Sequence, residues 1–304
     1  MKSVPLYIIA GCMLACSACR NTAPTGDLSL AEKLCEITDT VPGTVGIAFV
    51  SDNDTVTVNN GVPYPMMSVF KLHQALAVAK TLADRGHSLD SVIHVCGDEV
   101  DPNTWSPVIR QYMPGDFDIA VSKLIKGAIV QSDNNASNLL FSHIAPPTKT
   151  DTIVKSIAGS HNFHIGKSEA EMKANPMLSY LNCTSPLSAA VLIRQVFEQP
   201  LVKEEFQDSI RQYLSEVTTG HDRLGAAVQD SDIELFGHKT GSGYRNEIGD
   251  LMAHNDVGYF RLADGRSYAL AVFVRDFRGT EAEASKIIAD ISKCVYEHFS
   301  ETNL

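Results

Sequence analysis

The sequence predicts an α/β (α+β) fold: an antiparallel sheet flanked by N- and C-terminal helices, with an all-helical lobe inserted. Two observations predict it. Strand patterns occur near both ends of the chain, whereas the middle of the chain shows helical periodicity. The chain has 304 residues, of which 44% are hydrophobic, and this is enough for one large domain or two smaller lobes with real cores.

The first residues have the pattern of an export signal. Met1 and Lys2 precede an apolar run, so residues 1–19 are predicted to be a signal peptide and residues 20–27 a linker. Cys12 and Cys16 each follow a small residue, as in lipoprotein processing sites, while ordinary cleavage near Ala18 is the alternative. We expect a secreted or periplasmic protein, either free or held at the membrane by a lipid. No later segment approaches the length of a membrane span.

The mature chain begins with elements of the α/β lobe. Leu28–Thr38 is predicted to be a helix. Gly43–Val50 and Thr55–Val58 are predicted to be strands around the turn Asp52–Asp54. Residues 28–62 therefore form the first part of this lobe.

Residues 63–217 are predicted to form the helical lobe. Apolar residues recur there at helical spacing, and breakers separate the segments. The predicted helices are Ser68–Arg85, Ile119–Val130, Asn135–Ile144, Thr152–Ile157, Pro186–Glu198 and Glu204–Ser215.

Strands return in residues 218–304, which complete the α/β lobe. The predicted strands are Leu235–Thr240, Val257–Leu262 and Ser267–Phe277, and Asp264-Gly265 is a strong hairpin signal between the last two. Glu281–Phe299 is predicted to close the chain as a long helix. A functional site is expected at the seam between the two lobes.

Composition excludes several function classes. The formal charge is −11 and there is no basic run, so nucleic acid is not an expected partner. The ten histidines show no convincing ligand spacing, so neither a metal nor another cofactor is expected. We expect a monomer.

Four cysteines belong to the mature chain: Cys35, Cys96, Cys183 and Cys294. An oxidising compartment permits disulfides, but four cysteines do not reveal their pairing. Cys35 and Cys294 fall in the first and last helices, so a bridge between them is one arrangement. Buried free thiols are the default expectation.

Ser68 and Lys71 form the first chemical motif. Pro63 and Pro65 disfavour a helix before them, so Ser68 is predicted at the start of the helix that ends near Gly86. There the free N–H groups and the helix dipole favour a developing negative charge, and Lys71 lies one turn further on. An isolated Ser-x-x-Lys is usually only a helix cap, so the motif needs partners.

Two further motifs supply them. Ser132-Asp133-Asn134 follows an apolar helix, and Lys239-Thr240-Gly241 ends an apolar strand. Each alone is an ordinary turn or strand end. The three motifs in this order are the signature of class A β-lactamases and penicillin-binding proteins. The chain resembles class A serine β-lactamases over nearly its whole mature length.

This resemblance implies a β-lactamase/transpeptidase-like fold. It also implies hydrolysis of the amide bond of penicillins and cephalosporins through a serine acyl-enzyme, which confers antibiotic resistance. Ser68 would be the acylated nucleophile and Lys71 its activating partner. Ser132 would pass a proton to the lactam nitrogen, and Asn134 would hold the amide side chain of the substrate.

The remaining roles concern the substrate carboxylate and the oxyanion. Lys239 and Thr240 would bind the carboxylate, and Arg223 would add a second cation to it. The backbone N–H groups of Ser68 and Ser242 would form the oxyanion hole. Trp105, the only tryptophan, stands where the family keeps an aromatic gate, although a core position would be equally ordinary.

Release of the acyl group needs a water and a base. The resemblance assigns the base to Glu169 on a loop between the second and third motifs, with Glu171 as the rival. The loop departs from the family pattern at two positions. Ala170 stands in place of a proline. Lys173 stands in place of an asparagine that helps to hold the deacylating water, and Asn182 would take over this role. Enlarged loops and a polar Ser242 resemble the cephalosporinase-leaning branch of the family.

Two alternatives keep the acylating serine but not fast turnover. A DD-peptidase acts on D-Ala-D-Ala peptides and usually lacks the deacylating glutamate. A penicillin-binding or sensor protein acylates without release, and the sequence argues against it through Glu169 and the missing membrane span.

Overall fold

A computed structural model describes residues 28–159, 161–228 and 232–301. The predicted signal peptide (residues 1–19) and linker (residues 20–27) lie outside the described residues. Within these three ranges, no helix has both the length and the apolar character needed to cross a membrane.

The helices and strands of the described residues are numbered in chain order. The helices are α1 (Leu30–Asp39), α2 (Phe70–Asp84), α3 (Val121–Val130), α4 (Asn134–His143), α5 (Pro147–Ala158), α6 (Glu169–Ala174), α7 (Pro186–Glu198), α8 (Glu204–Ser215) and α9 (Glu281–Glu301). The strands are β1 (Thr44–Ser51), β2 (Thr55–Val58), β3 (Tyr64–Pro65), β4 (Val92–Val95), β5 (Phe117–Ala120), β6 (Phe163–His164), β7 (Cys183–Thr184), β8 (Ile233–Ser242), β9 (Leu251–Leu262) and β10 (Ser267–Phe277).

The main sheet joins the two ends of the chain, as predicted. Its strand order is β2-β1-β10-β9-β8, and every neighbouring pair is antiparallel. β1 therefore lies beside β10, which closes the sheet across a sequence separation of more than 200 residues. β8 is an edge strand of this sheet, so one of its edges is left for the helical region and the candidate site.

One face of the sheet is covered by the first and last helices. α1 begins at a capping box in which Ser29 and Glu32 satisfy each other's backbone N–H groups. α9 buries a stripe at helical spacing, Ala284, Ile288, Ile291 and Val295, against the sheet residues of the same cluster. The other face packs against α7 and shares a single buried cluster with the helical region.

Helix α2 is the centre of the helical region. Nearly all of its residues are buried, including Phe70, Leu72 and Leu76. Its buried residues also include the polar Lys71, His73 and Gln74, so neighbouring elements surround the helix on all sides. Because α2 is surrounded, the segment that precedes it, which carries Ser68, has a fixed position.

Several boundaries differ from prediction because short strands depend on distant partners. Helix α3 begins at Val121 rather than Ile119, since Phe117–Ala120 pairs with Val92–Val95. Strands β3, β6 and β7 contain two residues each and form one small sheet that no local pattern indicated. The predicted loop that carries Glu169 contains the short helix α6.

The four described cysteines are free thiols. Helices α1 and α9 are neighbours as expected, but Cys35 and Cys294 do not form a bridge. The expectation of buried thiols is wrong for Cys35 and Cys96, which are exposed, while Cys183 and Cys294 are partly buried. Cys35 lies on the outer side of α1, away from the buried residues Leu30 and Leu34.

We expect Gly46→Ala to destabilise the fold. A Cβ at this position of β1 would lie 2.4 Å from Cζ of Tyr64, whose ring is fully buried. Overpacking of this kind costs about 1–3 kcal/mol. Thermal unfolding measures the loss, with Gly61→Ala as the control because no atom lies within 4 Å of its Cβ position. Equal melting temperatures for the two variants would contradict this packing.

Candidate active site

The segment before Ser68 is held from two sides. Asn255 of β9 donates its side-chain amide to the carbonyls of Pro65 (2.8 Å) and Met66 (3.2 Å). The N–H of Met66 donates to the carbonyl of Asn182 at 2.8 Å. Met67 then adopts a left-handed φ of +46°, a conformation that is rare outside glycine and accumulates at functional sites. Ser68 follows in the 3-10 turn Met67–Val69 that leads into α2.

Gly241 allows strand β8 to approach this turn. A Cβ at Gly241 would lie 2.3 Å from the carbonyl oxygen of Met66. Only glycine fits where one backbone approaches another so closely. The glycine of Lys239-Thr240-Gly241 therefore brings the third motif against the first.

Lys71 connects the motifs through its ammonium group. Its Nζ donates to the carbonyl of Ser132 (2.9 Å) and to Oδ1 of Asn134 (2.7 Å). It also forms an ion pair with Oε1 of Glu169 at 2.9 Å. The side chain is fully buried, and a buried ammonium requires such partners.

Glu169 lies against the Ser68 hydroxyl. Ser68 Oγ donates to Oε1 of Glu169 at 3.2 Å. Glu171, the rival in the sequence, instead accepts hydrogen bonds from Ser168 N and Oγ and pairs with Lys167 on the surface. Glu171 therefore caps α6, and only Glu169 reaches the serine.

The loop that carries Glu169 is fastened by Asn182. Its Oδ1 accepts from the N–H groups of Gly166 and Lys167, both at 2.9 Å, and its Nδ2 donates to Lys167 O at 2.8 Å. The amide is therefore occupied by the loop backbone. Lys173 is ion-paired with Asp101 across the lobe, and Ala170 N donates to Asn138 Oδ1. At Ala170 and Lys173, where the loop departs from the family pattern, its contacts are therefore those to Asn138 and Asp101.

Ser132 presents its hydroxyl to two lysines. Its Oγ lies 3.1 Å from Nζ of Lys239 and 3.5 Å from Nζ of Lys71. The residue has a left-handed φ of +56°, which turns the side chain and the carbonyl toward the cavity and Lys71.

Asp133 holds this strained turn in place. Its fully buried carboxylate accepts from the N–H groups of Val108 (2.8 Å), Ile109 (3.0 Å) and Ala136 (2.9 Å), and from the Ser106 hydroxyl. Asp133 is thereby the N-cap of α4. Asn134 is fixed in turn, since its Nδ2 donates to Thr104 Oγ1.

A cavity of about 410 Å³ opens beside Ser68. Its lining combines all three motifs and contains Ser68, Trp105, Ser132, Asn134, Thr219, Arg223, Thr240, Ser242 and Glu281. Trp105 is 61% exposed and donates Nε1–H to the carbonyl of Gln131. It therefore forms a wall of the cavity and is not a core residue.

Cations dominate the inner end of this cavity. Lys239 is fully buried, and its pKa lies well below the ordinary value, first because of desolvation and second because of the charge of Lys71. Arg223 places Nη2 2.7 Å from Ser242 Oγ and Nη1 2.7 Å from Asn255 O. Arg223 thus brings a cation to Ser242, while Glu281 adds a carboxylate to the lining of the same cavity.

Three cavity residues were not predicted from the sequence. The hydroxyl oxygens of Thr219 and Thr240 lie 2.6 Å apart. In the sequence, only the position of Thr219 shortly before Arg223 could have indicated its place in the cavity. Glu281 begins α9 and looked like an ordinary helix start. Tyr244 lines a second cavity of about 210 Å³ together with Ser68, Glu169 and Met172, and its signal is its place two residues after Ser242.

No group of three or more His, Cys, Asp or Glu side chains in the part of the chain that the structure describes could hold a metal ion. The site contains the hydroxyls of Ser68 and Ser132, the ammonium groups of Lys71 and Lys239, the Glu169 carboxylate and the Arg223 guanidinium. Such a set can activate a hydroxyl, transfer protons and bind an anion.

Comparison with known proteins gives consistent results. A sequence model described as "Beta-lactamase enzyme family" matches residues 29–299. A β-lactamase of Phocaeicola vulgatus is 40% identical over 99% of this chain and 94% of its own length. The extended-spectrum β-lactamase PER-1 of Pseudomonas aeruginosa is 30% identical over 88% of this chain and 86% of its own length.

Solved structures show the same similarity. A class A β-lactamase from Bacteroides cellulosilyticus superposes with a TM-score of 0.83 at 31% identity, covering 89% of this chain and 96% of that one. The TLA-1 extended-spectrum β-lactamase superposes with a TM-score of 0.85 at 31% identity, covering 90% and 98%.

We expect Asp133→Ala to destabilise the protein by roughly 3 kcal/mol, because it removes a helix cap and leaves several buried donors without an acceptor. Chemical denaturation measures this loss. Asp98→Ala is the control, since Asp98 is exposed and its replacement is expected to change stability by about 0.5 kcal/mol or less. Similar stabilities of the two variants would show that the Asp133 carboxylate does not hold the turn.

Proposed function

This chain belongs to the β-lactamase enzyme family, and we propose that its reaction begins at the hydroxyl of Ser68. It is a class A serine β-lactamase that hydrolyses the amide bond of β-lactams, an activity that confers resistance to these antibiotics. The residues that carry out the reaction, and the order of the proton transfers, are proposals from the geometry of the site.

Glu169 is the proposed acceptor of the Ser68 proton. The hydroxyl already donates to its carboxylate at 3.2 Å. The ammonium of Lys71 has three protons and faces three oxygens at 2.7 to 2.9 Å, and an ammonium accepts no hydrogen bond. Lys71 therefore orients Glu169 and stabilises its charge while Ser68 Oγ attacks the lactam carbonyl. The N–H groups of Ser68 and Ser242 are the proposed oxyanion donors.

Ser132 is the proposed donor to the lactam nitrogen when the C–N bond breaks. Its hydroxyl proton goes to the nitrogen, and a proton from Lys71, 3.5 Å away, replaces it. Glu169 then returns the proton it took from Ser68 to Lys71, with which it is paired at 2.9 Å. The acyl-enzyme is thus formed with Lys71 again an ammonium and Glu169 again a carboxylate, and Lys239 supports the Ser132 hydroxyl at 3.1 Å.

Deacylation requires a base beside the ester oxygen. The observation that carries the proposal of fast turnover is the position of Glu169, whose carboxylate is the only one in contact with Ser68 Oγ among the described residues. From there it can take a proton from a water that attacks the acyl carbonyl. A DD-peptidase or a penicillin-binding sensor would not need this carboxylate at the serine.

The substrate is proposed to bind with its carboxylate at the cationic end of the cavity. Lys239, Thr240, Ser242 and Arg223 converge there. The amide side chain of the substrate would contact Asn134, which also lines the second cavity, while the exposed ring of Trp105 would flank the entrance of the first cavity. This placement leaves the acyl side chain near the second cavity.

We propose that the second cavity gives the enzyme a preference for cephalosporins. Met172 and Tyr244 line it together with Ser242, so it offers apolar surface and a hydroxyl beside the acyl group. The similar proteins PER-1 and TLA-1 are named extended-spectrum enzymes, which supports a broad substrate range here.

The division into lobes is also proposed. Ser68, Lys71, Ser132 and Glu169 come from residues 63–217, whereas Lys239, Thr240 and Arg223 come from residues 218–304. The site would then lie at the seam. We also propose that the protein is exported to the periplasm or the medium and acts as a monomer. Its signal would be removed either by simple cleavage or with lipid attachment at Cys12 or Cys16.

We expect Glu169→Gln to trap the acyl-enzyme. Loss of the base is expected to slow deacylation by about 10²–10⁴-fold. Attack by Ser68 loses the same base and is slowed as well, but it continues, because opening the strained lactam ring is easier than hydrolysing the resulting ester. The measurement is hydrolysis of a chromogenic cephalosporin, followed by the intact mass of the protein. Wild type is expected to turn over without an adduct, and Glu169→Gln to retain one.

Two controls make this experiment decisive. Glu171→Gln changes the surface cap of the same helix and is expected to leave turnover intact. Ser68→Ala is expected to lose both turnover and the adduct. A stable adduct on wild type would favour sensing or DD-peptidase chemistry, and full activity of Ser68→Ala would remove the mechanism.

We expect the KM for a β-lactam with a free carboxylate to rise on the alkaline side. The pKa of Lys239 is lowered by burial and by the charge of Lys71, so its ammonium is lost at lower pH than that of an exposed lysine. Loss of this charge weakens anion binding. KM measured against pH for the acid and for its methyl ester tests this, and equal profiles for both would contradict it.

A further inference from the structure

Two buried polar residues lie beneath the cationic end of the cavity, and the reaction proposed above uses neither. His238 belongs to β8 and Asp256 to β9, and they are 2% and 0% exposed. Burial of a carboxylate and an imidazole is costly unless they are paired and bonded. Their contacts therefore indicate what they stabilise.

The Asp256 carboxylate connects strand β8 to the turn that carries Arg223. His238 Nδ1 lies 2.9 Å from Oδ1 and 3.1 Å from Oδ2 of Asp256. Since an ionised carboxylate only accepts, Nδ1 carries the proton in this contact. On the other side, the N–H of Leu224 donates to Oδ2 at 3.2 Å. Leu224 directly follows Arg223, so this bond fixes the backbone from which the guanidinium extends.

The His238 ring is itself held in place. It stacks on Phe236, with centroids 4.4 Å apart and 28° between the ring planes. The stacked imidazole directs its Nδ1 toward Asp256. The resulting hydrogen bond in turn helps to fix the orientation of the carboxylate.

Among the described residues, no carboxylate forms an ion pair with Arg223. Its donors go to the Asn255 carbonyl and the Ser242 hydroxyl, and its Nε is buried without a partner in the described structure. Burial lowers the pKa of Arg223, and Asp256 is the largest of the charges that oppose this. The arginine is therefore a buried cation that these two acceptors hold directly, while the charge of Asp256 offsets part of its burial without a contact.

The turn has little room for movement. Gly220 has a φ of +71°, and a Cβ there would lie 2.5 Å from Cγ2 of Thr240 and 3.2 Å from Cδ of Arg223. A displacement of the turn would therefore move the guanidinium relative to Thr240 and Ser242. Misplacement by about 1 Å is enough to impair binding or catalysis substantially.

We propose that the His238–Asp256 pair is a positioning device that holds Arg223 in place for the substrate carboxylate. The pair contacts no substrate and acts through the Leu224 N–H and through its charge. The inference rests on the proposed function, because it assumes that Arg223 binds the carboxylate of a β-lactam. It predicts that loss of the pair impairs recognition of that carboxylate and leaves attack at the lactam ring intact.

The test compares a β-lactam acid with its methyl ester. Asp256→Asn keeps the shape of the side chain and an acceptor oxygen but removes the charge. We expect its KM for the acid to rise about tenfold, the size of a lost hydrogen bond to a charged group, with little change in kcat. KM for the ester is expected to stay the same, since the ester presents no charge to Arg223. An equal loss for acid and ester would show a general structural role and overturn the proposal.

A double-mutant cycle checks that the pair acts through the arginine. Arg223→Ala is expected to raise KM for the acid by itself, and Asp256→Asn is expected to have a much smaller effect in that background, where only its charge on Lys239 remains. Independent, multiplying effects of the two substitutions on KM would overturn the proposal.

Variants of His238 decide the question if Asp256→Asn does not fold. His238→Leu removes the donor, whereas His238→Asn retains an N–H close to the position of Nδ1. The first is expected to show the selective rise in KM, and the second to restore a value near that of wild type. Equal KM for all three proteins would overturn the inference. Absence of turnover by wild type would instead contradict the proposed function, so the two failures are distinguishable.

Discussion

The buried ammonium of Lys71 is the interaction on which the site depends. It joins Ser132, Asn134 and Glu169 within hydrogen-bonding distance, although these residues and Lys71 itself come from three separate segments of the chain. A buried cation is costly without such partners, so the fold and the site stabilise each other. The left-handed turns at Met67 and Ser132 are maintained because the surrounding contacts leave them no alternative.

The loop that carries Glu169 shows how a different set of residues can present a carboxylate to the serine. Its sequence lacks the family's proline and asparagine, and the structure replaces them with bonds from Asn182, an ion pair from Lys173 to Asp101 and a cap from Glu171. The Asn182 bonds are buried, whereas the pairs of Lys173 and Glu171 lie at the surface. None of these contacts involves the Glu169 carboxylate, so the loop sequence can change without loss of the base.

Three buried cations, Lys71, Lys239 and Arg223, are accompanied by three buried carboxylates. Glu169 faces Lys71 directly, Asp133 caps α4, and Asp256 supports Lys239 and Arg223 from a distance. Among the described residues Arg223 forms no ion pair, and the distant charge of Asp256 offsets part of the cost of its burial.

The sequence by itself determined the sheet of both chain ends, the main helices and the three motifs, because helix and strand periodicity and short motifs are local properties. It also favoured Glu169 over Glu171. Only the tertiary structure decided which face of α6 meets Ser68, that Gly241 touches the Met66 carbonyl, and that His238 and Asp256 lie under Arg223. These contacts join residues far apart in the chain, and their formation depends on how whole strands and helices pack, which no local pattern encodes.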